Sequence, residues 1–369
     1  MKARLIRSDQ GEKWNQFASQ GSVIGLLQGW EWGDFKEKLG WKVFRIAVEE
    51  GDTMTAAAQM LIKYLPGKLA SIAYIPRGPL VDWSDDETLQ CLLNEVHRVA
   101  RQQHAIFLKI EPPIRKTIEY QEQLQKLSFR ASAKTNQPRN TIILDITPEP
   151  DALLLQMRQK TRQYIRRAER EGITIRIGSS EDLHAYIELM HETGKREHFP
   201  ARSEKYYENE YEALSQKGEC ALLIAQRDGK LLAARTVCFF GSHAAEFHAG
   251  SVGGSDNLHP NYLLVWEAIK LAKSKGCVSY DLWGIPDEIE GNVELDEPSY
   301  LQRRDGLWGV YRFKSGFSRN VISYIGAYDY VYAPLPYAIA ATSLIGNESF
   351  ERIAVWVDSL RRADPARGG

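Results

Sequence analysis

The sequence predicts an α/β protein built from two copies of one module packed together. Two observations carry this. At 369 residues the chain exceeds what one compact core organises and suits two domains of ordinary size. One order of elements also occurs twice: helix, strand, acid-plus-proline, helix, phenylalanine, loop, strand.

The first copy is read as follows. Asp86 to Gln102 is an amphipathic helix, with Leu89, Leu92, Leu93, Val96, Val99 and Ala100 on one face. The strand Ala105 to Ile110, Glu111-Pro112, a helix from Ile118 to Leu127, Phe129 and a strand from Thr141 to Ile146 follow. In the second copy Asn261 to Lys275 is the helix, stopped by Gly276. Then come a strand Val278 to Trp283, Pro286 with Asp287-Glu288, a helical stretch ending near Lys314, Phe317 and a strand Val321 to Ile325. Pro148 and Pro150 interrupt the pattern between the copies. The expected modules are therefore 1–147 and 148–329, with 330–369 packing back on the first.

Outside the repeat, Lys42 to Val48 reads as a strand, and Ile72 to Ile75 as a strand entering a Pro/Gly turn with Arg77 at its tip. Ala221 to Gln226, Leu231 to Phe240 and Ala244 to His248 read as successive strands, the first two joined by a turn at Arg227-Asp228-Gly229-Lys230. Gly250 to Ser255 is expected to be flexible and lacks the Gly-Lys-Ser/Thr ending of a P-loop. Phe350 to Leu360 reads as a final amphipathic helix.

Composition narrows the function. Apolar content of 43% and charged content of 26% describe a globular protein, and a net charge of −1 excludes wholesale electrostatic capture by nucleic acid or membrane. Cys91, Cys220, Cys238 and Cys277 lack metal-ligand spacing and are expected as reduced thiols. His191 and His198 lack convergent partners, so no metal site is expected. No signal peptide is visible at Met1, which points to the cytoplasm. The apolar run Tyr337 to Ile345 is too short to span a bilayer, yet can dock on a membrane surface or on the rest of the protein.

Against that neutral background several residues stand out. Lys314 lies between Phe313 and Phe317, where a lysine can bind phosphate or stabilise a developing oxyanion; a surface lysine beside two core aromatics is the plainer alternative. Asp281 interrupts an apolar strand, where an unpaired carboxylate would be costly. Lys36 lies at the edge of a helical face formed by Trp32, Phe35 and Leu39. Arg158, Arg162, Arg166 and Arg170 recur at four-residue spacing beside an apolar stripe and make a basic ridge, either plain solvated surface or a phosphate-backbone contact. Arg202 and Tyr206 stand one helical turn apart and can jointly meet an anion.

Several phrases, in order, resemble the Fem peptidyltransferase family of non-ribosomal aminoacyltransferases. They are Gln28-Gly29-Trp30-Glu31-Trp32-Gly33-Asp34-Phe35-Lys36, Tyr74-Ile75-Pro76-Arg77-Gly78-Pro79, Met157-Arg158-Gln159-Lys160-Thr161-Arg162 and Asn261-Tyr262-Leu263-Leu264-Val265-Trp266-Glu267-Ala268-Ile269. Tyr280-Asp281-Leu282-Trp283-Gly284-Ile285-Pro286, Phe313-Lys314-Ser315-Gly316-Phe317 and Ile325-Gly326-Ala327-Tyr328-Asp329 complete the set. The resemblance implies two acetyltransferase-like (GNAT-like) modules with a cleft between them. It also implies transfer of an amino acid from aminoacyl-tRNA to an amine of a peptidoglycan precursor, nucleotide- or lipid-linked, without metal or organic cofactor. Contact with the inner face of the membrane is compatible with such a precursor.

By the same resemblance Lys314 matches the lysine assigned to the transfer step. Lys36, Arg202 and Tyr206 match positions holding the anionic and sugar parts of the acceptor, and Glu111 stands where relatives carry an acid near the acceptor peptide. Arg158, Lys160, Arg162 and Arg166 are then the residues expected to meet tRNA. Ser318-Arg319 and Gly250-Ser251-Val252 depart from the family's usual phrases, and the long helical arm of some members has no counterpart. Two rivals remain. An acetyl-CoA-dependent N-acyltransferase would want a Gln/Arg-x-x-Gly-x-Gly/Ala turn for the pyrophosphate, which the sequence lacks. A non-enzymatic scaffold binding an envelope precursor or RNA is the other.

Overall fold

The computed structural model describes residues 1–21, 25–289, 302–303 and 306–343. The expected helix from Phe350 to Leu360 and the end of the run Tyr337 to Ile345 lie outside them. Two compact units are present: the first comprises 1–18, 27–139 and the described residues from 324 onward, the second 19–26 and 140–323.

In the first unit β1 (Lys2–Leu5), α1 (Gly11–Ala18), α2 (Trp30–Lys38), β2 (Lys42–Glu50), β3 (Thr53–Tyr64) and β4 (Ser71–Ile75) lead to α3 (Asp86–Gln102). β5 (Ala105–Ile110), α4 (Ile118–Lys126) and β6 (Arg130–Ala131) follow. In the second, β7 (Asn140–Asp145), α5 (Pro150–Gln156), α6 (Gln159–Arg170), β8 (Thr174–Ile177), α7 (Leu183–Arg196) and α8 (Glu204–Ser215) precede the meander β9 (Cys220–Arg227), β10 (Lys230–Phe240) and β11 (His243–Ser251). Then come α9 (Pro260–Ser274), β12 (Ser279–Ile285), α10 (Trp308–Lys314) and β13 (Val321–Ser323). The chain ends its described part with β14 (Tyr328–Val331) and α11 (Pro334–Ser343), both in the first unit.

The repeat is visible in strand order. The first sheet runs β1-β2-β3-β4-β5-β14-β6, and the second, read from β8, runs β8-β9-β10-β11-β12-β7-β13. Both follow the same sequence of pairings, antiparallel except for one parallel seam, β4/β5 in the first and β11/β12 in the second. The sixth place in each sheet shows why the expected boundaries shift. β7 follows the first module in sequence but pairs with β12 and β13, so the division falls between Arg139 and Asn140 rather than at 147. Likewise β14 pairs with β5 and β6, and the second division falls between Ser323 and Tyr324. By place, β13 therefore corresponds to β6, not to the strand from Thr141 to Ile146.

Local chemistry explains the elements. The Asp85 side chain accepts from the Thr88 amide at 3.0 Å and starts α3, whose Leu89, Leu92, Leu93, Val96, Val99 and Ala100 are all buried with Ile46, Met60 and Leu108 in the first core. Each of the Leu and Val side chains contributes roughly 1.5–3 kcal/mol on burial. In the second core Leu264, Ala268 and Ile269 of α9 meet Val237, Tyr280 and Leu282 of the sheet and Ile165 of α6. Asp228 and Gly229, with φ of 51° and 75°, make the tight β9–β10 turn. Arg77 is not displayed at a loop tip: it is buried, donates to the Pro138 carbonyl at 3.0 Å and covers the Tyr324 ring at 4.2 Å. Nor is the start of the Gly250 to Ser255 stretch free, because Gly250 and Ser251 end β11, and the Ser251 amide donates to Thr193 Oγ1 at 3.1 Å.

Candidate active site

The parallel seam of the second sheet opens partway along. His243, Ala244 and Ala245 of β11 pair with Ser279, Tyr280 and Asp281 of β12, and pairing stops there although β11 continues to Ser251 and β12 to Ile285. Two irregularities produce the opening. β11 has a bulge opposite Thr236 and Val237, and β12 slips against β7 between Asp281 and Gly284. At the slip Trp283 takes a left-handed φ of 62°, held by its amide donating to Asp281 Oδ1 at 2.7 Å and by its ring against Phe247 at 5.1 Å. Asp281 also accepts from Thr141 Oγ1, so its carboxylate in the apolar strand shapes the opening. Asn140 Nδ2 holds the strand beyond it, donating to the carbonyls of Pro286 at 3.0 Å and Ile289 at 2.6 Å.

Lys314 sits at this opening. It ends α10, is 9% exposed, and donates to the Gly284 carbonyl at 2.9 Å, an acceptor just past the slip. Burial pulls its pKa down to about 8; Glu246 and Asp281 oppose the shift and Arg235 adds to it. Glu246 and Arg235 form a buried ion pair, and Tyr280 Oη donates to Glu246 at 3.4 Å. Burial raises the Glu246 carboxyl despite those cations. An ammonium carries three donors. Lys314 can thus hold an oxyanion in a dry setting, where such a donor acts most strongly.

What positions α10 is the phrase around the lysine. Phe313 and Phe317 pack on Tyr262 of α9 with ring centroids at 4.8 and 5.8 Å, and Tyr262 in turn meets Tyr164 of α6 at 4.9 Å. Gly316 lies against the first turn of α6: its carbonyl accepts from the Arg158 amide at 2.9 Å, and a Cβ there would collide with Thr161 Oγ1. The glycine in Phe-Lys-Ser-Gly-Phe is thus a close-approach residue that joins the lysine's helix to the basic helix. A recess of about 270 Å³ beside it is lined by Gln156, Arg158, Ser315, Ser318 and Arg319 among others.

The other expected site residues fall as follows. Arg158 is the N-cap of α6 and Arg162 donates to the Met157 carbonyl at 2.5 Å, so Arg162 is partly engaged in holding the end of α5; Lys160 and Arg166 are exposed. Arg202 precedes the N-cap Ser203 and is not on α8, yet its guanidinium lies over the Tyr206 ring at 5.3 Å. Lys36, in the first unit, is buried rather than marginal, with Nζ over the rings of Trp32 at 4.6 Å and Phe35 at 4.8 Å. Glu111 is 2% exposed; its carboxylate accepts from Tyr74 Oη and from the amides of Asn136 at 2.6 Å and Gln137 at 3.1 Å. It anchors a loop to the end of the first sheet's parallel seam. The sequence does not single out Glu246 or Arg235, and Tyr280 appears in it only as part of a longer phrase. The signal was a carboxylate inside the run Ala244-Ala245-Glu246-Phe247, of the same kind that marks Asp281.

Two tandem acetyltransferase-like modules, the second opened at its parallel seam around a buried lysine, define the class of protein. Among solved structures, FemX superposes with a TM-score of 0.81 at 23% identity, covering 92% of this chain and all of that one. A tandem GNAT protein from the clavulanic acid biosynthesis pathway matches with a TM-score of 0.52 at 10% identity, over 89% of this chain and 98% of that one. The sequence matches the FemAB family over residues 10–230 and 210–343, and the chain belongs to that family. A lipid II:glycine glycyltransferase of Staphylococcus aureus is 33% identical over 214 residues, 56% of this chain and 51% of its own length. The chain thus spans about half the length of the curated relatives it matches.

Proposed function

We propose that this protein transfers an amino acid from aminoacyl-tRNA to an amine of a peptidoglycan precursor's stem peptide. The observation that carries the reading is Lys314 at the opened seam, buried and bonded to the Gly284 carbonyl. Family membership supports the reaction class, and the S. aureus relative's name supplies the precursor.

The acceptor amine attacks the ester carbonyl of the charged tRNA, the C–N bond forms, and the carbonyl oxygen becomes an oxyanion beside Lys314 Nζ. Collapse breaks the ester bond and returns the ribose oxygen as a hydroxyl, the proton from the amine leaving through water or substrate. An aminoacyl ester is already activated, so positioning and oxyanion stabilisation suffice. Lys36, Arg202 and Tyr206 are assigned to anionic and sugar parts of the acceptor. Glu111, with its oxygens engaged inside the fold, acts on the acceptor by holding the loop at Asn136 and Gln137. Lys160 and Arg166, with Arg158 at the recess, are assigned to the tRNA, Arg162 serving mainly to hold α5 to α6. The cytoplasmic face of the membrane is where a lipid-linked precursor would be met; among the described residues no helix is long and apolar enough to cross a membrane.

The test is transfer of radiolabelled amino acid from a mixture of charged tRNAs to nucleotide-linked and lipid-linked muropeptides, with acetyl-CoA turnover run in parallel. Label in the muropeptide is expected. Acetyl-CoA consumption with no tRNA-dependent label would overturn the reading.

A further inference from the structure

We propose that a largely buried pair on the other face of β11, His248 with Glu210, is a positioning device that sets the Arg202–Tyr206 corner. The inference rests on the assignment of that corner to the acceptor. Glu246 and His248 lie two residues apart on one strand, but the bulge intervenes, so they serve different surroundings. Glu246 joins Arg235 and Tyr280, while His248 meets α8.

There His248 Nε2 lies 3.1 Å from Glu210 Oε2 and 3.3 Å from Oε1, with the side chains 17% and 4% exposed. The imidazole is boxed edge-on by Tyr207 at 5.2 Å and Tyr206 at 6.2 Å, and its own amide donates to Thr236 Oγ1 at 3.0 Å. Tyr207 continues the chain of contacts, because its hydroxyl accepts from the Arg202 amide at 3.2 Å. His191 Nε2 donates to the Arg202 carbonyl at 2.9 Å and closes the corner from α7. Arg202 lies outside the helix, these two bonds help to hold its backbone, and the ring carrying one of them rests on His248.

A buried ionic or strongly polar pair adds little net stability, since a well-packed apolar pair often does as well; its contribution is one defined alignment. Here the alignment is that of α8's first turn against β11. Among the described residues His248 meets Glu210 and the rings of Tyr206 and Tyr207, and the pair acts on Arg202 through these two tyrosines.

Hydrogen exchange and calorimetry on the full chain test this. His248→Phe or Glu210→Gln should raise exchange at the amides of 202–208 at least tenfold, leaving β9 and β10 unchanged. Calorimetric binding of a nucleotide-linked muropeptide should weaken about tenfold, a shift of about 1.4 kcal/mol. Turnover at saturating acceptor should stay within twofold. His248→Gln, which keeps an N–H toward Glu210, should recover most of both effects. In the background of Arg202→Met, His248→Phe should cost little further binding, because its effect runs through Arg202. Unchanged exchange at 202–208, or losses that add fully to Arg202→Met, would overturn the device. The exchange readout needs no ligand. If exchange rises as expected but the native protein binds no muropeptide, the acceptor assignment fails and the positional link survives.

Discussion

The two sheets share one strand order and differ at one seam. In the first, β4 and β5 stay paired up to Ile75 and Ile110, and the Glu111 amide extends the seam by donating to the Ile75 carbonyl at 3.2 Å. Glu111 then closes its end, binding Tyr74 across the seam and two loop amides beyond it. In the second, pairing of β11 with β12 stops at Ala245 and Asp281, and Trp283 turns left-handed to start a separate path. A carboxylate stands at each place with opposite effect. Glu111 ties its strands together, whereas Asp281 is drawn sideways to Thr141 of β7 and holds the slip open. The same architecture therefore has a closed parallel seam in one unit and an open one in the other, and the difference comes from a few polar side chains at the end of one parallel pair.

The largest expected effect tests the open seam. Lys314→Met keeps the methylene stem and removes the charge, so turnover should fall about a hundred- to a thousandfold, as for loss of one oxyanion donor. Precursor binding should change little. In the native enzyme the charged form prevails below a pKa of about 8, so turnover should decline as pH rises past that value. The residual activity of Lys314→Met should lack that limb. A variant that keeps its turnover but loses precursor affinity would make Lys314 a phosphate anchor.

Gly316→Ala examines how the open seam is held. Its Cβ would collide with Thr161 Oγ1, so α10 or α6 must shift. A loss of roughly 1–3 kcal/mol in denaturant unfolding is expected, with turnover lower because Lys314 moves with α10. Thr161→Ser in the same chain retains the hydroxyl and should give no rescue, whereas Thr161→Ala should restore much of the loss.

Glu111→Gln addresses the closed seam through pH. Burial raises the Glu111 carboxyl above its ordinary 4.5 in the folded protein, with Tyr74 and the loop amides opposing the shift. Its contribution is thus fully present below pH 4.5 and is lost as pH rises through the elevated folded value. Denaturant unfolding across that window should show a smaller decline in the glutamine variant than in the native chain. Equal slopes would show that the carboxyl is not shifted.

The smallest effect concerns α6. Reversing the charge of Lys160 and Arg166, both exposed, should leave unfolding unchanged and lower the salt slope of tRNA-dependent transfer by about one for each phosphate no longer neutralised. An unaltered slope would return these cations to ordinary surface.

Much of this protein was legible along the chain because it is local. The i, i+3, i+4 stripe of α3, the strands from Ala105 and from Ser279, and the Gly276 stop depend on neighbours a few residues away, and they lie where periodicity places them. The Phe313-Lys314-Ser315-Gly316-Phe317 phrase likewise marked the lysine at the seam. What sequence could not decide is long-range pairing. Whether β7 completes its own module's sheet or the next depends on which open edge its hydrogen bonds find, and nothing in Thr141 to Ile146 encodes that edge. The burial of Arg77 and the engagement of Glu111 follow from packing against residues distant in sequence. The opening of the second seam is of the same kind. It needs Thr141, Asp281 and Trp283 together, and only the tertiary structure brings a threonine from one strand to the carboxylate of another, where forming that bond costs less than leaving either group buried alone.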